Sequence, residues 1–226
     1  MQIKELKIYS SNIKNQKDFY ATVLGLTIIE SCDKNVLFQF GKSILNIEYK
    51  PKATPYHFAI NIPANKDLEA LDWLRSKVEI LKDGEHEIQD FYSWNAKAIY
   101  FYDTDQNIVE LIARKNLNNT SNQNFDSNLF LEISEIGLPT KDIKREYKKL
   151  NSLTGVKIYD GELERFCAIG DENGMFICIN KNKRNWFPTN DKAFSSDFEI
   201  RLIEKEKAFH LTYKNEELKA LVNKTN

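Results

Sequence analysis

Apolar residues along this chain recur in two alternating periods. Short stretches with nearly every second residue apolar, "IKELKI" (3–8), "YHFAINIP" (56–63) and "ISEIGL" (133–138), have the two-residue period of strands. Each is followed by a stretch with helical spacing: "NQKDFYATVLGL", "NKDLEALDWLRSK" and "KDIKREYKKLNSLTG". Short alternating stretches then return, among them "NVLFQFG", "SILNIEYK" and "ERFCAIGDENGMFICIN". The predicted unit is strand, helix, strand, strand, strand, and it is used three times.

The units share a frame. The first strands of units one and three carry Ile followed two positions on by Glu5 or Glu135, and unit two has His57 in that place. Leu6 with Ile8, Phe58 with Ile60, and Ile136 with Leu138 then share the face expected to pack against a helix. Glu5, His57 and Glu135 point the other way. Gly25 and Gly155 each follow their acid by 20 residues, where a left-handed helix cap is expected. The tail, "DFEIRLIEKEKAFHLTY" with "NEELKALVNK", predicts two strands and a short helix, a degenerate fourth unit. Between units two and three, "NLNNTSNQNFDSN" (116–128) holds six Asn, which favour local side-chain bonds over regular structure and predict a linker. The expected organisation is α+β. Residues 1–115 form paired units one and two carrying the site, 116–128 a linker, and 129–226 the third unit with its degenerate fourth.

Charge narrows the function. Lys plus Arg is 32 against 33 Asp plus Glu, a net charge of -1, so no basic field exists to hold a phosphate backbone and nucleic acid is not an expected partner. No stretch approaches the ~20 apolar residues of a membrane span, and none opens the chain, so a cytoplasmic protein without a membrane partner is expected. Cys32, Cys167 and Cys178 lack paired spacing and read as free thiols, with Cys178 in strand core.

"AIYFYDTDQNIVELIAR" (98–114) is strand, polar turn and strand, with one acid, Glu110, held between Val109 and Leu111. Two motifs carry a resemblance. "DFYATVLGL" (18–26) resembles the helix end of the vicinal oxygen chelate superfamily, which includes glyoxalase I, bleomycin- and fosfomycin-resistance proteins and extradiol dioxygenases. "IYFYDTDQNIVEL" resembles that superfamily's second-module hairpin, in which an Asp-Pro-x-Gly-Asn turn leads to a ligand Glu. Asp103, Asn107 and Glu110 match, while Thr104 and Gln106 replace the Pro and Gly. "ISEIGLP" and "NWFPT" are similar to a bacterial subgroup labelled glyoxalase-like or ring-cleavage dioxygenase.

The resemblance implies βαβββ modules paired into an open curved mixed sheet around a central cavity. It implies a divalent metal ion (Fe, Mn, Zn or Ni) on His57, Glu110 and Glu5, with Asn46 or Glu48 as further candidates, and a small vicinally oxygenated substrate, in a monomer or homodimer. Glu110 and Tyr100 become the catalytic candidates, and Trp94 and Tyr100 the substrate wall. Glu135 shares the place of Glu5, but its own unit ends in "MFICIN" with no acid where Glu110 sits, which favours a structural role. His86 is expected in a loop and His210 in packing or surface. Two functions fit. One is a metal-dependent lyase, isomerase or dioxygenase in which a ligand carboxylate doubles as base. The other is a metal-free protein that sequesters an aromatic ligand, for which the ring-dense "IQDFYSWNAKAIYFYD" is suited.

Overall fold

In the computed structural model, which describes residues 1–221, the alternation resolves into four modules. Module one is β1 (Gln2–Ser10), α1 (Ile13–Asp18) continuing through one wider turn at Phe19–Val23, β2 (Ile28–Cys32), β3 (Asn35–Phe40) and β4 (Ser43–Tyr49). Module two is β5 (His57–Ile62), α2 (Asp67–Arg75), β6 (Ile80–Leu81), β7 (Gln89–Phe91), β8 (Ala96–Tyr102) and β9 (Ile108–Arg114). Module three is β10 (Glu132–Thr140), α3 (Ile143–Thr154), β11 (Ile158–Gly161), β12 (Phe166–Asp171) and β13 (Gly174–Asn180). The fourth has three strands: β14 (Phe198–Glu204), β15 (Lys207–Lys214) and β16 (Glu217–Ala220).

In each complete module the first and last strands lie side by side in parallel: β1 with β4, β5 with β9, β10 with β13. Modules then pair antiparallel through their first strands, β5 with β10 and β1 with β14. Two mixed sheets result, ordered β16-β15-β14-β1-β4-β3-β2 and β11-β12-β13-β10-β5-β9-β8-β6, with β7 on β8.

This pairing corrects the expected one. Module two pairs with module three, and module one takes the tail, so residues 1–115 do not form a paired site domain. The Asn-rich stretch connects β9 to β10 within one sheet and is tied down along its length. Asn119 Oδ1 accepts from the Ala64 N–H (3.0 Å), Glu69 Oε2 accepts from the Phe125 N–H (3.2 Å), and the Phe125 ring packs edge-on to Trp73. Its aromatic residue, Phe125, is buried, as are Leu129 and Phe130 that follow it, which a polar linker reading overlooks. The tail helix is also replaced: residues 217–220 pair with β15, and Leu218 is buried between exposed Glu217 and Lys219, a two-residue period. The remainder of that stretch, from residue 222, lies outside the described residues.

The shared frame holds. Leu6, Ile8, Phe58, Ile60, Ile136 and Leu138 are all buried in one core that spans both sheets. Ser43 Oγ stitches the sheets together, donating to the Ile3 carbonyl (2.6 Å) and accepting from the Ile133 N–H (3.0 Å). Gly25 and Gly155 take left-handed φ of 74° and 79° at their helix ends. Among the described residues no helix is long and apolar enough to cross a membrane.

Gly41 sits where the sheets meet. Its φ is +53°, and a Cβ there would lie 2.0 Å from the Leu131 carbonyl oxygen. Gly84 has a similar φ of +57° with open space around it. Denaturant melts should therefore show Gly41→Ala costing roughly 2–5 kcal/mol, from backbone strain plus overpacking. Gly84→Ala should cost only about 1 kcal/mol, from strain alone.

Candidate metal centre

The turn before β9 is organised around a buried carboxylate. Asp103 Oδ1 accepts from the N–H groups of Asp105 (2.9 Å) and Asn107 (3.0 Å). Its Oδ2 accepts from the Tyr20 hydroxyl and the Asn107 side chain, both at 2.7 Å. Asn107 Oδ1 in turn accepts from the Tyr56 N–H (2.7 Å), which locks the start of β5 beside the start of β9. Gln106 takes φ +61°, the left-handed position for which the resembling motif uses glycine. The matched Asp and Asn thus set the register of β5 on β9, with Ala59 opposite Glu110.

That register and the β5–β10 pairing put Glu110, Ala59 and Glu135 in one row across three strands. Strand alternation brings His57, Ala59 and Asn61 to the same side as Glu110, Ile112 and Arg114. Ala59 offers only a methyl group, so the two carboxylates converge above it. Gly137 has a matching role: a Cβ there would lie 2.8 Å from the Trp186 ring, and its absence lets that ring come within 4.9 Å of the His57 ring. His57 Nε2 is 3.5 Å from Glu110 Oε2 and 3.9 Å from Glu135 Oε2. One ligand atom from each of the three residues lies within 4.8 Å of the others, and all three residues are buried.

Hydrogen bonding assigns each atom its part. His57 Nδ1 lies 3.1 Å from the Ile108 carbonyl oxygen, so Nδ1 carries the proton and Nε2 turns its lone pair toward the carboxylates. Burial lowers the imidazole to about 4, leaving it neutral near pH 7. Burial, followed by the charge of Glu135, pushes Glu110 well above the usual carboxylate range, against the pull of Arg114 and Tyr100. Burial also raises Glu135, against Arg114. Arg114 is fully buried. It donates Nη2–H to Glu135 Oε1 and Nε–H to Asn61 Oδ1 (3.2 Å), which leaves Glu135 Oε2 turned toward His57. Tyr100 faces Glu110 across β8 and β9, and burial together with the two carboxylates keeps its phenol protonated. The cluster forms the floor of a cavity of about 340 Å³ walled by Phe91, Trp94, Phe166, Ile177, Trp186 and Phe187.

Of the residues singled out from the sequence, His57, Glu110, Tyr100 and Trp94 meet here. Glu5 does not. It lies on β1 in the other sheet, 3.3 Å from Arg201 and 3.0 Å from Asn46 Nδ2, because the partner of β1 is β14. Glu135 takes the third corner instead of the structural role expected of it. Its place in the shared frame, equivalent to His57, carried that signal once the pairing is known.

The other sheet has the equivalent row, Asn46, Lys7 and Glu199. Lys7 stands where Ala59 stands, and its ammonium lies 3.2 Å from Glu48 and 3.6 Å from Glu199. A side-chain cation fills the place that Ala59 leaves open. Glu48 therefore pairs with Lys7, and His210 joins the same network 3.2 Å from Glu199. His86 is in a loop that bridges back to Asp83. Ile177 is registered with Gly137 as Glu110 is with Ala59, so the fourth corner of the site has no protein donor. Arg114, Trp186 and Phe187 were not foreseen from the sequence.

No protein-family model matches this chain, and no curated protein matches it in sequence. Solved structures match it in fold. A candidate dioxygenase from Bacillus subtilis superposes with a TM-score of 0.59 at 14% identity, over 79% of this chain and 63% of the other. Glyoxalase I from Zea mays superposes with a TM-score of 0.53 at 15% identity, over 78% of this chain and 66% of the other. The chain spans slightly less than two thirds of either relative. The likeness is one of fold, and it carries no reaction with it.

The cluster has opposed pH dependences when no cation is bound. His57 titrates lower in the folded chain than its ordinary 6.5. The unfolded chain therefore binds more protons between about 4 and 6.5, and stability falls as pH drops through that window. Glu110 is raised, so its contribution is lost as pH rises above the ordinary carboxylate value of 4.5. Thermal melts in chelator should therefore show Glu110→Gln melting above wild type at pH ~8, with the gap closing as pH falls toward ~5.

Proposed function

We propose that this chain is a metal-dependent enzyme of the glyoxalase/dioxygenase type acting on a small, vicinally oxygenated substrate. His57, Glu110 and Glu135 would hold one divalent cation. A single observation carries this reading: a proton-free Nε2 and two carboxylate oxygens converge within 4.8 Å in a buried site. Three lone-pair donors in low dielectric repel one another unless a cation or shared protons lie between them. One imidazole and two carboxylates suit Fe(II), Mn(II), Zn(II) or Ni(II). When bound, such an ion supplies Lewis-acid polarisation of substrate oxygens.

The chain's own residues have separable parts. Arg114 engages one oxygen of Glu135, so that side chain offers only the other. Ile177 leaves a side of the cluster free for substrate, and the aromatic walls exclude water. Glu110 would offer one carboxylate oxygen to the cation, and the other is suited to take and return a proton. Tyr100, registered opposite Glu110 across β8 and β9, brings a protonated phenol beside that carboxylate. This set favours proton-transfer chemistry, of lyase or isomerase type, over oxygen activation.

The second reading, a metal-free binding protein, has an observation of its own. One proton on Glu110 Oε2 could close the 3.5 Å gap to His57 Nε2 and leave a neutral, aromatic-lined pocket.

Elemental analysis of protein purified without chelator or a metal-binding tag separates the two. The enzyme reading expects about one equivalent of divalent metal, reduced at least tenfold in His57→Ala and Glu135→Gln and unchanged in Glu5→Gln. Folded wild type that stays metal-free after incubation with Fe(II), Mn(II), Zn(II) and Ni(II) would support the binding protein instead.

A further inference from the structure

The cavity has acids at its floor and an unpaired cation at its rim. Arg184 lines the cavity with its guanidinium 4.9 Å over the Phe166 ring. Lys183 next to it lies 4.0 Å from Glu164, and Lys181 pairs with Glu216, but Arg184 has no ion-pair partner among the described residues. Its charged neighbour is another cation, Arg165, which lines the adjoining stretch of surface with it. Asp160 of the same cavity accepts from the Trp94 indole N–H at 2.6 Å and makes no ion pair with Arg184. A guanidinium over a ring, with a second arginine lining the adjoining surface and no ion-pair partner for either among the described residues, is suited to receive an anion.

The space between floor and rim is small and lined by rings. Phe91, Trp94, Phe166 and Phe187 present rings to it, and about 340 Å³ lies near the lower end of small-molecule pockets. A single ring with short substituents matches such a space.

We propose that Arg184, backed by Arg165, recognises the anionic group of a small aromatic acid whose ring stacks between the cavity walls and whose adjacent oxygens face the His57–Glu110–Glu135 cluster. The inner end of this ligand rests on the metal-centre reading, while the outer end does not. Arg184 is exposed, so replacing it leaves the core intact. Its guanidinium is a specificity determinant and takes no part in the chemistry.

The test uses the quenching of Trp94 and Trp186, which both line the cavity. Metal-loaded wild type is titrated with protocatechuate, with its uncharged methyl ester, and with benzoate, which has the acid but no vicinal oxygens. Protocatechuate should bind about tenfold tighter than the ester or better, the ordinary worth of one charge-assisted contact. In Arg184→Gln the acid and ester should become equal, while ester affinity stays within about twofold of wild type. Benzoate should bind wild type and lose about tenfold in Arg184→Gln, with or without chelator. Equal affinity of wild type for acid and ester, or an acid preference that survives Arg184→Gln, overturns the proposal. Chelator that weakens protocatechuate but not benzoate supports the floor as a metal centre. If chelator affects neither while the Arg184 dependence remains, the metal reading fails and the anion reading stands.

Discussion

The antiparallel register between β5 and β10 is the constraint from which the rest of the site follows. It brings Glu135 opposite Ala59, while the parallel register of β5 on β9 brings Glu110 opposite the same residue from the other side. Two acids in one row, separated by a methyl group, would not tolerate burial without compensation. Arg114 provides part of it through Glu135, and the imidazole of His57 completes the ring of donors. A one-residue slip in either register would turn one carboxylate into the helix-packed core. The elaborate turn at Asp103 makes physical sense in that light. Its four hydrogen bonds, and the further one from Asn107 to Tyr56, protect a register on which the cavity depends.

The two sheets show the same scaffold carrying positive charge in two ways. In the β1 row, Lys7 brings its own ammonium between Glu48 and Glu199, and the network is complete with side chains alone. In the β5 row, Ala59 brings nothing, and the nearest guanidinium, on Arg114, engages the outer oxygen of Glu135. The first arrangement is self-contained, and in the second Glu110 has no Lys or Arg ion-pair partner among the described residues. Aromatic walls surround the second, and the row with Lys7 borders a smaller recess that includes Arg201 and His210.

Much of this was legible in the chain. The alternation around Leu6, Phe58 and Ile136 located the core faces, and Gly25 and Gly155 marked helix ends, because both depend on local periodicity and backbone sterics. The hairpin motif pointed to Glu110 and Tyr100 for the same local reason. Pairing between modules was not local. Pairing of modules adjacent in sequence places Glu5 at the site, and the polar look of 116–128 hides the buried Phe125. Glu135 carried the right frame position and was set aside because its own module lacks a second acid. The site needs only one acid from that module, since Ile177 lies where the second would be. Trp186 and Arg184 come from irregular chain after β13, where no periodicity reports position.

Nesting of the modules has a consequence for the order of assembly. Modules two and three are contiguous in the chain and pair with each other, whereas Gln2 of β1 finds its partner at Ile203 on β14. During synthesis the inner sheet, with the whole His57–Glu110–Glu135 cluster, is complete before β14 emerges. Until then β1 carries an unpaired edge, the kind of surface that invites pairing with another chain. Closing it late requires the longest loop in the fold, although that loop is already shortened by the collapsed inner sheet. Strands β14–β16 thus act as a clasp fastened last, after every residue of the His57–Glu110–Glu135 cluster has been made.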